Sequence, residues 1–131
     1  MIFVDSEAWF ASVIATDPDH AAAAAWLAGN REELLTTDYV LDETLTLLRA
    51  RGQSHIAVAL GAELFAESLA ILHFCTRDEI HSAWDTFQRF SDKEWSFTDC
   101  LSKEVMERLA IHTAFAFDQH FRQFGTVSVV P

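Results

Sequence analysis

The sequence predicts a three-layer α/β/α sandwich around a central, mostly parallel sheet. Short apolar runs of strand length alternate with segments whose apolar residues recur at helical spacing. Pro18 and the terminal Pro131 are the only two prolines, so little interrupts that alternation. Wholly apolar strands are those buried on both faces, which implies parallel pairing, right-handed crossovers and helices on both sides of the sheet. With 131 residues the chain is about the usual length of one domain, so a single unit over 1-131 is expected.

Ile2-Phe3-Val4-Asp5 opens as a short buried strand, and Ser6 is the expected cap of a helix to about Ile14 carrying Trp9, Phe10 and Val13 on one face. Thr16-Asp17-Pro18-Asp19 is a turn. Asp19 or His20 begins an alanine-rich helix expected to stop at Gly29 in the left-handed conformation. Glu33 to Thr37 is the second strand, Tyr39 to Ala50 a helix broken at Gly52, and Gln53 to Glu67 another helix. Leu69 to Phe74 is the third strand. From Asp78, Ile80, Ala83, Trp84, Phe87 and Phe90 follow a 3.6-residue period. Ser91 to Ser96 is a polar loop, and Thr98, the expected cap, starts a helix to about Leu109. Thr113 to Phe117 is the fourth strand, ending at Asp118. A short helix and a last strand, Thr126 to Val130, complete the order.

Composition narrows the function classes. Twenty acidic against nine basic residues give a formal charge of -11, which disfavours binding nucleic acid or membrane through a broad basic face. Half of the residues are hydrophobic, yet no apolar stretch approaches the about 20 residues that span a bilayer, and no export signal opens the chain. A cytoplasmic protein is expected. Cys75 and Cys100 form no CxxC pair and suit reduced core thiols. Six histidines show neither HExxH nor paired ligand spacing, and there is no GxGxxG, P-loop or GxSxG. His120 alone, two positions after Asp118, is close enough to a candidate acid to approach it.

Asp5 and Asp118 end apolar strands, and in open parallel sheets the ligand site lies outside the carboxyl ends of the strands. Carboxylates gathered there among apolar groups resist ionisation, a cost that a divalent cation removes. Magnesium and manganese take oxygen ligands, and magnesium needs only one or two protein carboxylates directly. Asp99 stands where a loop becomes a helix. Its alternative role is helix-dipole capping, from which the expected Thr98 cap would free it. Glu43 lies one turn into its helix, and its neighbour Asp42 points about 100° away, so only one of the two is expected to face the site.

Phe3-Val4-Asp5-Ser6, Tyr39-Val40-Leu41-Asp42-Glu43-Thr44, Phe97-Thr98-Asp99-Cys100 and Phe115-Ala116-Phe117-Asp118 together resemble the PIN-domain ribonucleases, most closely the VapC-like toxins of bacterial and archaeal toxin–antitoxin pairs. The resemblance covers the whole chain and rests on the order and spacing of its motifs. It implies a PIN-like fold and hydrolysis of RNA by metal-activated water, with Mg2+ or Mn2+ held by Asp5, Glu43 and Asp99, and Asp118 as a more variable fourth acid. Thr98 matches the hydroxyl residue that often precedes the third acid. Ser6 matches another family position, though helix capping explains it equally well. Asp92 matches a frequent family acid or is a solvated loop charge. A cognate antitoxin and a homodimer are implied as partners. The apolar helices around Trp84-Phe87-Phe90 and Trp9-Phe10-Val13 are either core or the surfaces such partners cover. Trp95 and Phe97 either fill the core or stack on a base. The competing reading is a catalytically inactive interaction module of the same fold.

Overall fold

The computed structural model describes residues Met1–Pro131. Five parallel strands form one sheet: β1 (Ile2–Val4), β2 (Leu34–Thr37), β3 (Ile71–His73), β4 (Thr113–Phe115) and β5 (Ser128–Val130). They lie in the order β3-β2-β1-β4-β5, with Phe3 opposite both Leu35 and Ala114. The sequence runs outward from β1 to β3 and then returns to β4, so strand order reverses beside β1 and a crevice opens at the carboxyl ends of β1 and β4.

Six helices cover the sheet: α1 (Ser6–Val13), α2 (His20–Gly29), α3 (Asp38–Ala50), α4 (Ser54–Phe65), α5 (Arg77–Arg89) and α6 (Phe97–Arg108). The α1 helix packs on α2 and α3, and α3 packs on α4. The α5 and α6 helices pack on each other, and right-handed crossovers put that pair on the opposite face. The three-layer expectation is met. Every residue of β1 and β2 is buried, as a parallel central sheet requires, and Phe3, Val4, Phe115, Phe121 and Leu101 are fully enclosed.

Polar groups inside this core are satisfied in a way that fixes the site's scaffold. Trp9 Nε1 on α1 donates to Thr36 Oγ1 at 3.2 Å, and that hydroxyl donates to the Val4 carbonyl at 3.0 Å, tying α1, β2 and the end of β1 together. Three helix starts use side-chain caps. Thr37 accepts from Val40 N–H, Thr76 forms a capping box with Glu79, and Ser96 forms one with Asp99.

Several expected boundaries differ. Asp5, not Ser6, occupies the N-cap position of α1, and Ser6 is its first helical residue. Ser96, not Thr98, caps α6. Gly29 ends α2 within the helix and the chain leaves through extended Asn30, so no left-handed residue is needed there. Gly52, with φ of 72°, supplies that conformation after α3, where Gln53 N–H reaches back to the Leu48 carbonyl. The β4 strand stops at Phe115, so Asp118 sits beyond the strand at the start of a 3-10 turn, Gln119–Phe124.

Candidate active site

Asp5 follows β1, and its backbone N–H is pinned to the Phe115 carbonyl of β4 at 3.1 Å. Only 2% exposed, its carboxylate makes no capping bond to α1. Burial holds its carboxyl well above the usual carboxylate range, and the charges of Asp99, Glu43 and Asp118 push it further. The Ser6 N–H offsets this only in part. The other three sequence-predicted acids therefore all act on Asp5.

Glu43 stands half-buried on α3 while Asp42 is exposed, the division that helical geometry predicts. Ser6 Oγ donates a short hydrogen bond to Glu43 Oε1. Ser6 thus orients the second acid instead of capping α1. Asp99 lies at the third residue of α6, 6% exposed, and its Oδ2 accepts from Ser96 N–H at 3.0 Å. It is part of the helix cap and still faces the other acids, so the two roles that the sequence set against each other coexist. Thr98 is half-buried in the first turn of α6. Asp118 caps the 3-10 turn by accepting from the His120 N–H at 2.8 Å, and its side chain is half-buried.

The His120 ring also joins the cluster. Its Nδ1 lies 2.8 Å from Asp99 Oδ2 and 3.3 Å from Asp118 Oδ1, and single ligand atoms of these three residues all fall within 4.8 Å of one another. Burial opposes the charged imidazole, but the Asp99 hydrogen bond and the charges of Asp118, Asp99 and Glu94 outweigh it, raising the His120 pKa. Glu7 was missed by sequence reasoning. Burial and the charges of Asp118 and Asp99 raise its pKa too, which places it at the rim of the same acidic field. The signal was its position two residues after Asp5, in the first turn of α1.

Other candidates go elsewhere. Asp92 is exposed in the loop between α5 and α6, 4.0 Å from Lys93, as a solvated loop charge would be. Trp95 is core: it packs on Phe90 and Phe124 and donates to Gln123 Oε1 at 2.8 Å. Phe97 is half-buried between Tyr39 and Phe87. His20 bonds the Ala11 carbonyl and His73 bonds Glu79, while His55, His81 and His112 are exposed. Lys103 pairs with Glu107, and Arg108 donates to Ser82.

The donor set fits a hard divalent cation. It is rich in carboxylate oxygen, its central acid is buried without a cationic partner, and the repulsion that Asp99, Glu43 and Asp118 exert on Asp5 would fall on binding one.

Comparison with known proteins identifies the family. The PIN domain family model matches residues 2–127. The chain is 37% identical over 131 residues to the 23S rRNA-specific endonuclease VapC20 of two Mycobacterium tuberculosis strains, covering 100% of this chain and 99% of the relative. The crystal structure of Mycobacterium tuberculosis VapC20, described as a sarcin-ricin loop cleaving toxin, superposes with a TM-score of 0.93 at 34% identity, covering 100% of both chains. Full-length identity, a matching fold and the ordered acids lead to one conclusion: this chain belongs to the PIN-domain family, among its VapC-like endoribonuclease toxins.

Proposed function

We propose that the chain is a Mg2+- or Mn2+-dependent endoribonuclease that cuts one exposed loop of ribosomal RNA, with Asp5, Glu43, Asp99 and Asp118 as its working acids. The observation that carries this reading is the environment of Asp5: a buried carboxylate, uncommitted to capping, on which three other acids act. Asp5 and Asp99 would hold the principal ion and Asp118 a weaker second one. When bound, the cation would make the attacking water more acidic and offset charge on the phosphate oxygens. Glu43, oriented by Ser6, would position the water or take its proton as the water oxygen bonds to phosphorus and the P–O3′ bond breaks, the released O3′ taking a proton from solvent. No side-chain nucleophile is required.

Selection of a single folded loop, and not of arbitrary RNA, suits a chain of net charge -11, since weak phosphate attraction leaves recognition to shape. The VapC20 relative, named for 23S rRNA and the sarcin-ricin loop, makes that loop the first substrate to test. Two apolar surfaces support the partner reading of a cognate antitoxin and a homodimer. One is the groove between α3 and α4, where Val58 and Phe65 are 66% and 61% exposed. The other joins Trp84 and Phe87 of α5, stacked at 6.0 Å. Trp9 is core, so the surface expected around it narrows to the half-buried Phe10 and Val13. A ribosomal RNA substrate would put the site of action in the cytoplasm.

The test is to incubate the purified protein with intact ribosomes and map new RNA ends. One predominant end within a structured loop is expected. Scattered cuts throughout single-stranded RNA would refute the loop selectivity, and no magnesium-dependent cut in any RNA would refute the activity.

A further inference from the structure

Asp99 has two carboxylate oxygens, and the chain treats them differently. Oδ2 accepts from Ser96 N–H at 3.0 Å and from His120 Nδ1 at 2.8 Å, whereas Oδ1 accepts from no donor of the chain. An ionised carboxylate only accepts, so the Nδ1 facing it carries the proton. The ring is held in place by its own turn. Asp118 caps the 3-10 turn through the His120 N–H, and Phe121 and Phe124 of the same turn are buried in the core. From that anchored position the same Nδ1 stands 3.3 Å from Asp118 Oδ1, linking the acid of α6 to the acid that follows β4.

We infer that His120 is a positioning residue of the cation site: with Ser96 it claims Oδ2 of Asp99, turns Oδ1 toward the ion, and fixes the spacing between Asp99 and Asp118. The inference rests on the proposed metal reading of these acids. A direct ligand role fits less well, because coordination through Nδ1 would sacrifice the Asp99 bond, and hard cations of this class favour oxygen. Partners that orient ligands in this way affect metal affinity itself and not only turnover.

The experiment measures Mn2+ binding to the purified protein without RNA, following the free-ion signal by electron paramagnetic resonance, for wild type, His120→Ala and His120→Asn. Loss of the donor in His120→Ala should weaken Mn2+ binding about 10-fold or more. His120→Asn keeps an N–H donor where Nδ1 stood and should restore the wild-type affinity. Wild-type affinity in His120→Ala would overturn the inference, as would binding in His120→Asn as weak as in His120→Ala. Should His120→Ala fail to fold, His120→Leu, which keeps the bulk and lacks the donor, takes its place under the same criterion. Absence of Mn2+ binding in the wild type would sink the metal reading beneath it, whereas wild-type binding unchanged in both variants sinks only the role of His120.

Discussion

The carboxylate of Asp5 stands at the N-cap of α1 without capping it, enclosed by the core and by three like charges. Its raised pKa means that its contribution to stability is complete below the unfolded value of ~4 and is lost as pH climbs through the folded value. His120, also raised, contributes below its unfolded value of ~6.5 and loses that contribution in the same direction. The cation-free protein should therefore melt at a lower temperature at about pH 8 than at about pH 6, and excess Mn2+ should flatten that slope. Scanning calorimetry in EDTA checks it; a melting temperature that rises with pH over this interval contradicts it. Removal of the Ser6 hydroxyl frees Glu43, so Ser6→Ala should lower cleavage about 10-fold while leaving the fold intact. Steady-state rates beside a thermal melt test that. Asp5 was recognisable in the sequence because an acid directly after an apolar strand has few other reasons to be there. The sequence suggests Thr98 as the cap, with Ser96 in the loop before it, and only the path of that loop selects Ser96. The His120 bond joins positions 21 residues apart, which no local pattern reveals.

Elements hold the acids at the edge of the sheet, and their junctions are where energy can be measured. Thr36 is fully buried and serves both Trp9 Nε1 and the Val4 carbonyl, so Thr36→Val leaves a donor unsatisfied and should cost about 1–3 kcal/mol in a urea titration. At the end of α6 the chain turns through Ala110 with φ of 54°, a conformation costly to alanine, and Ile111 N–H bonds back to the Met106 carbonyl. Ala110→Gly should stabilise by about 1 kcal/mol, measured the same way. Helix α5 was clear from its apolar period and lies where expected, whereas β4 proved shorter. Apolarity marks burial and not pairing: Ala116 is buried and bonds the Val130 carbonyl, yet it lies beyond the ladder that turns the chain toward Asp118. Gly29 and Gly52 look alike as helix stops, but only Gly52 must adopt a positive φ, because only there does the next helix double back at once.

For the whole molecule, the alternation of apolar runs and helical periods was enough to give the layers and the parallel sheet, since burial on both faces leaves few other arrangements. The strand order β3-β2-β1-β4-β5 then puts the acids of β1, α3, α6 and the turn after β4 at one crevice, although they are spread over most of the chain. Exposed Trp84 and Phe87 stack on each other along α5 and would serve the proposed homodimer. If they do, Trp84→Glu should leave only monomer in light scattering without lowering the melting temperature. The most direct test of the central claim is RNA cleavage by the wild type and by Asp5→Asn, each in EDTA and after Mg2+ or Mn2+ is restored. The acids acting as a cation site predict that the wild type cuts only with the divalent ion, while Asp5→Asn stays folded and inactive under both conditions. Cleavage in EDTA, or by Asp5→Asn at the wild-type rate, would contradict it.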